Sequence, residues 1–177
     1  MTQLQPPIET LDAAAARAAI PALAEILRDC VANGASVGFM AWNTLPDFER
    51  YWIGVAIEVE AGRTILLAAR DEHGEVAGTA QLQLIAKPNQ PHRAEVAKVL
   101  VHSRARRRGL GAKLVNAAEA AARAAKRDLL VLDSDEAGEA RRLYNRLGWT
   151  EIGTIPRFAL MPDGRDCGST FFYKSLA

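Results

Sequence analysis

The chain has 177 residues, 49% of them apolar and 24% charged, and its 22 basic against 21 acidic side chains leave a net charge of +1. That composition suits one globular domain over residues 1–177 and excludes a disordered chain, a fibrous repeat and a polyanion binder working through overall charge. Two cysteines, Cys30 and Cys167, stand far apart without metal-ligand spacing, so neither a disulfide framework nor a metal centre is expected.

The first residues, MTQLQPPIETLD, carry acids and no apolar h-region, so they do not read as a signal peptide. No window approaches 18 uninterrupted apolar residues, and the chain is expected to be cytoplasmic and free of membranes. Residues 12–33 are alanine-rich, with Ile20, Leu23, Ile26 and Leu27 at helical spacing, and Pro21 marks a first turn or splits the helix in two. Asn33-Gly34 ends it, because both residues tolerate the left-handed conformation of a C-cap. A loop over 35–45 carries Phe39, Met40 and Trp42. A second helix runs from Pro46-Asp47 to Ala61-Gly62, with Phe48, Trp52, Val55 and Val59 on one stripe.

The period then changes. Residues 64–69 and 76–85 read as strands joined by a hairpin at Asp71-Glu72-His73-Gly74. After a proline-containing loop at 87–92 come a strand at 94–101, an arginine-rich turn, and a long helix over 109–126. Residues 129–133 form an apolar strand, 138–147 a helix, and 149–155 and 170–173 the closing strands. No repeat or linker interrupts this order. The fold class is therefore mixed α/β: a central sheet of about six to seven strands, an antiparallel N-terminal meander plus a parallel βαβ unit, with helices on both faces.

The chemistry gathers at VLVHSRARRRGLGAKLV. Arg104, Arg106, Arg107, Arg108 and Lys113 fall within ten positions that no acid interrupts. Gly109 and Gly111 remove side chains where backbone must approach a ligand. The helix that follows begins with N–H groups lacking internal partners, and with its dipole they favour a diphosphate. A solvated basic loop is the plain alternative, but this turn follows a strand and opens a helix. A dinucleotide-binding fold fails on order, since its glycine turn follows the first strand. A Walker motif fails because no Gly-Lys-Ser/Thr closes the turn.

The spacing R-x-x-G-x-G at Arg106, Gly109 and Gly111 resembles the cofactor motif of the GNAT superfamily of acyl-CoA N-acyltransferases, and LYNRLGW at 143–149 is similar to that family's tyrosine-bearing helix. GASVGFM at 34–40, and KPN with RAEVAK between 87 and 98, resemble the tabtoxin-resistance acetyltransferase branch. The resemblance implies a GNAT-like fold and acetyl-CoA as co-substrate. It implies contacts to acetyl-CoA from Val99, Leu100 and Val101 and from Arg106, Arg107, Arg108, Gly109, Leu110, Gly111 and Ala112. One position departs: the family often has asparagine seven residues before the tyrosine, where this chain has Ala137 followed by Gly138, which leaves helix capping to Ser134 or Glu136.

Amine acylation requires a neutral amine, a stabilised tetrahedral oxyanion and a proton for the departing thiolate. Tyr144 is the candidate acid, against a plain core tyrosine. Glu95, in a strand otherwise filled with Val96, Val99 and Leu100, is a candidate base, against simple pairing with Arg93 or Lys98. Asp133, at the end of its strand with Asp135 and Glu136 beside it, is the second candidate, against an N-cap role. His102 is a further candidate base that more naturally edges the phosphate site. Trp42, Trp52 and Phe39 are candidate substrate walls, against core packing for Trp52.

The leading expectation is acetyl transfer to a primary amine of a small molecule, an amino-acid-like toxin, antibiotic or metabolite, by direct attack, since no cysteine is near the motif. A non-catalytic acyl-CoA-binding regulatory module and a protein N-acetyltransferase are the rivals. Nucleic acid is disfavoured, because no aromatics interleave with the basic run. A homodimer stays open.

Overall fold

The computed structural model describes residues 8–136 and 138–176. Ala137, the departure from the GNAT asparagine, lies outside them, as do the first seven residues of the segment read for a signal peptide. Seven strands form one mixed sheet in the order β1-β2-β3-β4-β5-β7-β6. They are β1 (Ile8–Leu11), β2 (Thr64–Arg70), β3 (Val76–Leu84), β4 (Arg93–Val101), β5 (Leu129–Asp135), β6 (Thr150–Leu160) and β7 (Asp166–Ser175). Neighbours are antiparallel except β4 and β5. Parallel strands need a long crossover, and α4 (Leu110–Ala124) supplies it.

The expected N-terminal helix is two: α1 (Ala13–Ala18), capped by Asp12 Oδ1 accepting from the Ala15 N–H at 2.8 Å, and α2 (Ile20–Ala32). Pro21 sits in the first turn of α2, where its missing N–H costs nothing. α3 (Leu45–Glu60) starts with a capping box between Thr44 and Asp47. α5 (Glu139–Arg146) is the last helix. Its start corrects the expected capping: Gly138 is the N-cap with no side-chain bond, and Glu136 instead accepts the Gly168 N–H at 3.3 Å.

The sheet is packed on both faces. On one, α4 sets Leu110, Leu114, Val115 and Ala118 against Leu82, Ala94, Val96, Leu130 and Leu132, and Tyr144, Trp149 and Phe172 close that core. On the other, Leu23, Ile26 and Leu27 of α2 and Phe48 and Trp52 of α3 cover Leu66, Ala68 and Leu100. Beneath the first core Lys174 Nζ donates to both Glu119 carboxylate oxygens at 2.8 Å and to the Leu147 carbonyl at 2.7 Å, while Trp149 Nε1 donates to Glu119 at 3.0 Å. Every oxygen of this buried carboxylate is therefore answered, as burial of a charge demands.

Three features went unforeseen. β1 extends the sheet by four residues beside β2. β6 and β7 are much longer than expected, joined by a tight turn at Met161–Arg165. β6 is an edge strand whose outer half exposes Ile155, Phe158 and Leu160, so it shows no buried alternation to read. Both cysteines are buried and unpaired. No helix among the described residues is long and apolar enough to cross a membrane.

Candidate functional site

The site begins where the parallel pair ends. β4 and β5 are in register at Arg93 with Leu129, Ala94 with Leu130 and Glu95 with Val131, and they share no further ladder pair among the described residues. β4 nevertheless runs on to Val101 and β5 to Asp135. From Val96 onward the β5-facing edge of β4 therefore offers backbone N–H and C=O groups without a strand partner, an edge that an extended amide-bearing chain can join.

Midway along this edge β4 bulges. Its register against β3 shifts between Thr79 and Gln81, and Lys98 takes φ 49°, unusual for a residue with a side chain. The extra residue places Lys98 on the α3 face, its Nζ 5.5 Å from the centroid of the Tyr51 ring. Past the bulge, Leu100 joins the α2–α3 core, whereas Val99 and Val101 pack toward α4. Burial lowers the Lys98 pKa, opposed by the negative charge of Asp133.

Asp133 lies on β5 two residues past the last pair shared with β4, at the gap where the two strands part. Its Oδ2 accepts from Ser169 Oγ at 2.6 Å, so it is a strand carboxylate steadied by β7 and not a helix cap. Tyr144 approaches from α5, 5% exposed, its ring 5.5 Å from Phe172 and 5.9 Å from Trp149. Its hydroxyl makes no hydrogen bond among the described residues and is not among their fully buried unpartnered atoms. Burial, reinforced by Asp133, pushes the phenol far above its ordinary range, so it holds its proton. Lys98, Asp133 and Tyr144 thus share one electrostatic neighbourhood.

Glu95 stands apart from this trio. Its Oε1 is 2.7 Å from Arg93 Nη1, and Gln90 Oε1 holds the same guanidinium. The plain pairing with Arg93 is therefore realised, and Lys98 is not its partner. Beyond Glu95, a groove of about 900 Å³ between α3 and the β2–β3 strands is lined by Tyr51, Gln81, Gln83, Arg50 and Lys87.

The turn before α4 is a 3₁₀ turn, Ser103–Ala105, then extended Arg106, left-handed Arg107 at φ 62° and left-handed Gly109 at φ 76° as N-cap of α4. A Cβ on Gly109 would meet nothing within 4 Å, so the conformation is what favours glycine there. Gly111 differs: it has no left-handed φ, and its Cβ would lie 3.4 Å from Leu143 Cδ2, near ordinary contact with the end of a flexible side chain of α5. Leu110 is buried, and Gly111 and Ala112 are half-buried at the helix start.

The arginines are largely engaged within the protein. Arg104 Nε is 3.2 Å from Asp71, Arg108 pairs with Glu72, and Arg106 Nε donates to the Val101 carbonyl at 3.1 Å. Arg107 is exposed. His102 accepts from the Arg104 N–H at 3.2 Å and stands 3.7 Å from Asp29, so it caps the 3₁₀ turn beside α2. Of the proposed substrate walls, Trp52 is core at 1% exposure, Phe39 packs against Phe48 and Tyr51, and Trp42 is 72% exposed.

A seven-stranded mixed sheet that parts beside a bulged strand, with a left-handed glycine turn opening the crossover helix, has a counterpart among known families. The Acetyltransferase (GNAT) family matches residues 20–149. The chain belongs to the GNAT acetyltransferases. Among solved structures, this GNAT chain is 28% identical to a ribosomal-protein-alanine N-acetyltransferase from Brucella melitensis, with TM-score 0.79 over 96% of this chain and 99% of that one. A putative acetyltransferase from Salmonella typhimurium, solved with its cofactor acetyl-CoA, shares the fold at 22% identity and TM-score 0.77, covering 97% and 94% of the two chains. A phosphinothricin acetyltransferase from Sinorhizobium meliloti, in complex with acetyl-CoA, shares it at 18% identity and TM-score 0.79, covering 98% and 90%.

Lys98 is the one gap residue that sequence reasoning treated only as a neighbour of Glu95. The signal was present, since it is the third charged residue of RAEVAKVLV after Arg93 and Glu95, but a bulge that turns it toward Tyr51 has no sequence signature of its own.

Proposed function

We propose that the chain, acting as one acetyltransferase domain, transfers an acetyl group from acetyl-CoA to a primary amine of a small molecule by direct attack. The observation that carries this reading is the unpaired edge of β4, which opens beside Lys98, Asp133 and Tyr144 and leads into the glycine turn. The residues present fit acetyl-CoA: Gly109 leaves open space at a helix start, and Val99, Leu100 and Val101 carry the open edge toward it. Arg107, which is exposed, supplies positive charge for its phosphates, and Arg108 would join it on release from Glu72. Bound there, acetyl-CoA supplies an activated acyl group.

The chain's own residues divide the proton work. Asp133, with Oδ1 free of hydrogen bonds among the described residues, accepts the amine proton directly or through water. Tyr144 keeps its proton and is the donor for the leaving sulfur. Glu95, whose charge Arg93 already matches, holds the β4 end of the gap in shape. Arg106 works through the shape of the turn.

The GASVGFM and RAEVAK resemblance to tabtoxin-resistance enzymes, with the phosphinothricin acetyltransferase match, favours an amino-acid-like acceptor. The ribosomal-protein-alanine N-acetyltransferase match supports a second reading, acetylation of a protein N-terminus. A thiol-release assay with acetyl-CoA over amino acids, polyamines, aminoglycosides and alanine-ended peptides tests both. Turnover of free amino-acid-like amines is expected, turnover of peptides alone selects the second reading, and no thiol release with any amine rejects catalysis.

A further inference from the structure

Asp29 occupies the last turn of α2, where the negative end of the helix disfavours a carboxylate and no basic residue shares the turn. Its side chain is nonetheless only 11% exposed. Such a placement is costly unless other groups answer the charge, and they come from 74 residues away. The Ser103 N–H donates to Oδ2 at 2.8 Å, and Ser103 Oγ donates to Oδ1 at 2.7 Å. Arg106 Nη2 lies 3.9 Å from Oδ2. Within α2 itself, Asn33 Nδ2 donates weakly to Oδ1 at 3.3 Å.

These contacts fall at the start of the 3₁₀ turn and at its exit, the two points that decide how the chain enters Gly109. Ser103 sets where the turn leaves β4. Arg106 is drawn to α2 while its Nε closes on the Val101 carbonyl and its Nη2 reaches Cys30 Sγ at 3.8 Å. We propose that Asp29 is a positioning residue for the co-substrate: it anchors the turn to α2 and so fixes the direction in which Gly109 and the first N–H groups of α4 face the diphosphate. The proposal rests on reading this turn as the CoA site.

Calorimetry of CoA binding tests it without an acceptor, alongside acetyl-CoA kinetics. Asp29→Ala removes the acceptor of both Ser103 bonds, and an about 10- to 100-fold weaker CoA affinity is expected, the scale of lost hydrogen bonds to a charged group. The KM for acetyl-CoA should rise by a similar factor with kcat within about twofold, the pattern of lost binding that is common to ground and transition states. Asp29→Asn keeps one oxygen acceptor and should recover part of the loss. Ser103→Ala alters only the turn and should weaken binding even if Asp29→Ala folds poorly. Wild-type CoA affinity in Ser103→Ala and Asp29→Asn, whatever the melting temperature of Asp29→Ala, would overturn the proposal and leave Asp29 a purely structural contact. A wild-type protein that binds no CoA would overturn the reading of the turn itself, before any variant is made.

Discussion

The turn before α4 and the gap beyond Glu95 follow one another along β4 but handle charge in opposite ways. In the turn, Arg104, Arg106 and Arg108 are matched by Asp71, Asp29 and Glu72, so a dense basic cluster is held in one shape by acids from α2 and the β2–β3 hairpin. In the gap, Asp133 has Ser169 and Lys98 has the face of Tyr51, and neither has a close ion partner among the described residues. Under the function proposed above, the turn would meet a fixed group whose position does not change during the reaction. On the same reading the gap would keep its charges available for groups that change protonation, which is what preorganised chemistry needs.

The sharpest way to break this comparison is Asp133→Asn. It should lower kcat by about 10²- to 10⁴-fold, a general-base contribution, while CoA affinity stays within about twofold. Steady-state kinetics with calorimetry read both, and parallel losses would mean that gap and turn are one unit. Lys174→Met separates the site from its support. It leaves Glu119 buried without its cation and should cost about 3–5 kcal/mol in urea unfolding.

Tyr144 gives a pH signature for the gap. Its folded pKa is raised, so the folded state holds the proton while unfolded tyrosine ionises. The stability it contributes is intact below pH about 10 and is lost above it, by about 1.4 kcal/mol per pH unit. Tyr144→Phe should flatten that alkaline decline, and denaturant melts from pH 9 to 11 measure it. For the turn, Gly109→Ala must hold a side chain at φ 76° and should cost about 1–2 kcal/mol, with weaker CoA binding. Gly111→Ala should cost less than Gly109→Ala, because its added Cβ only reaches the end of the Leu143 side chain. The smallest effect belongs to Glu95→Gln. Arg93 already holds that carboxylate, and a kcat loss under about tenfold is expected, well short of a full base contribution.

Most of the fold was legible because its elements bury one face. The stripe Phe48, Trp52, Val55 of α3 is periodic because that face of the helix packs on the sheet. β1 escaped because four residues beside a helix cap carry too little pattern, and the outer half of β6 escaped because its side chains face outward. In the site, residue types were readable and partnerships were not. RAEVAKVLV announces charge in a strand, but only the bulge decides that Lys98 meets Tyr51 while Glu95 meets Arg93. The arginine run pointed to an anion site, whereas the acids that hold the turn in shape lie about 30 to 80 positions away in sequence.

β6 carries a consequence for how the protein behaves in a tube. An edge strand exposing Ile152, Ile155, Phe158 and Leu160 is a template on which another chain can add a strand. Midway along it Pro156 lacks an N–H to offer, Arg157 turns left-handed at φ 55°, and the register against β7 shifts between Ile155 and Ala159. These three features act as a gatekeeper, breaking the edge into shorter pieces that make a poorer template. Smoothing them with Pro156→Thr and Arg157→Val would leave the gap and the turn untouched, yet light scattering on warming should begin at a lower temperature.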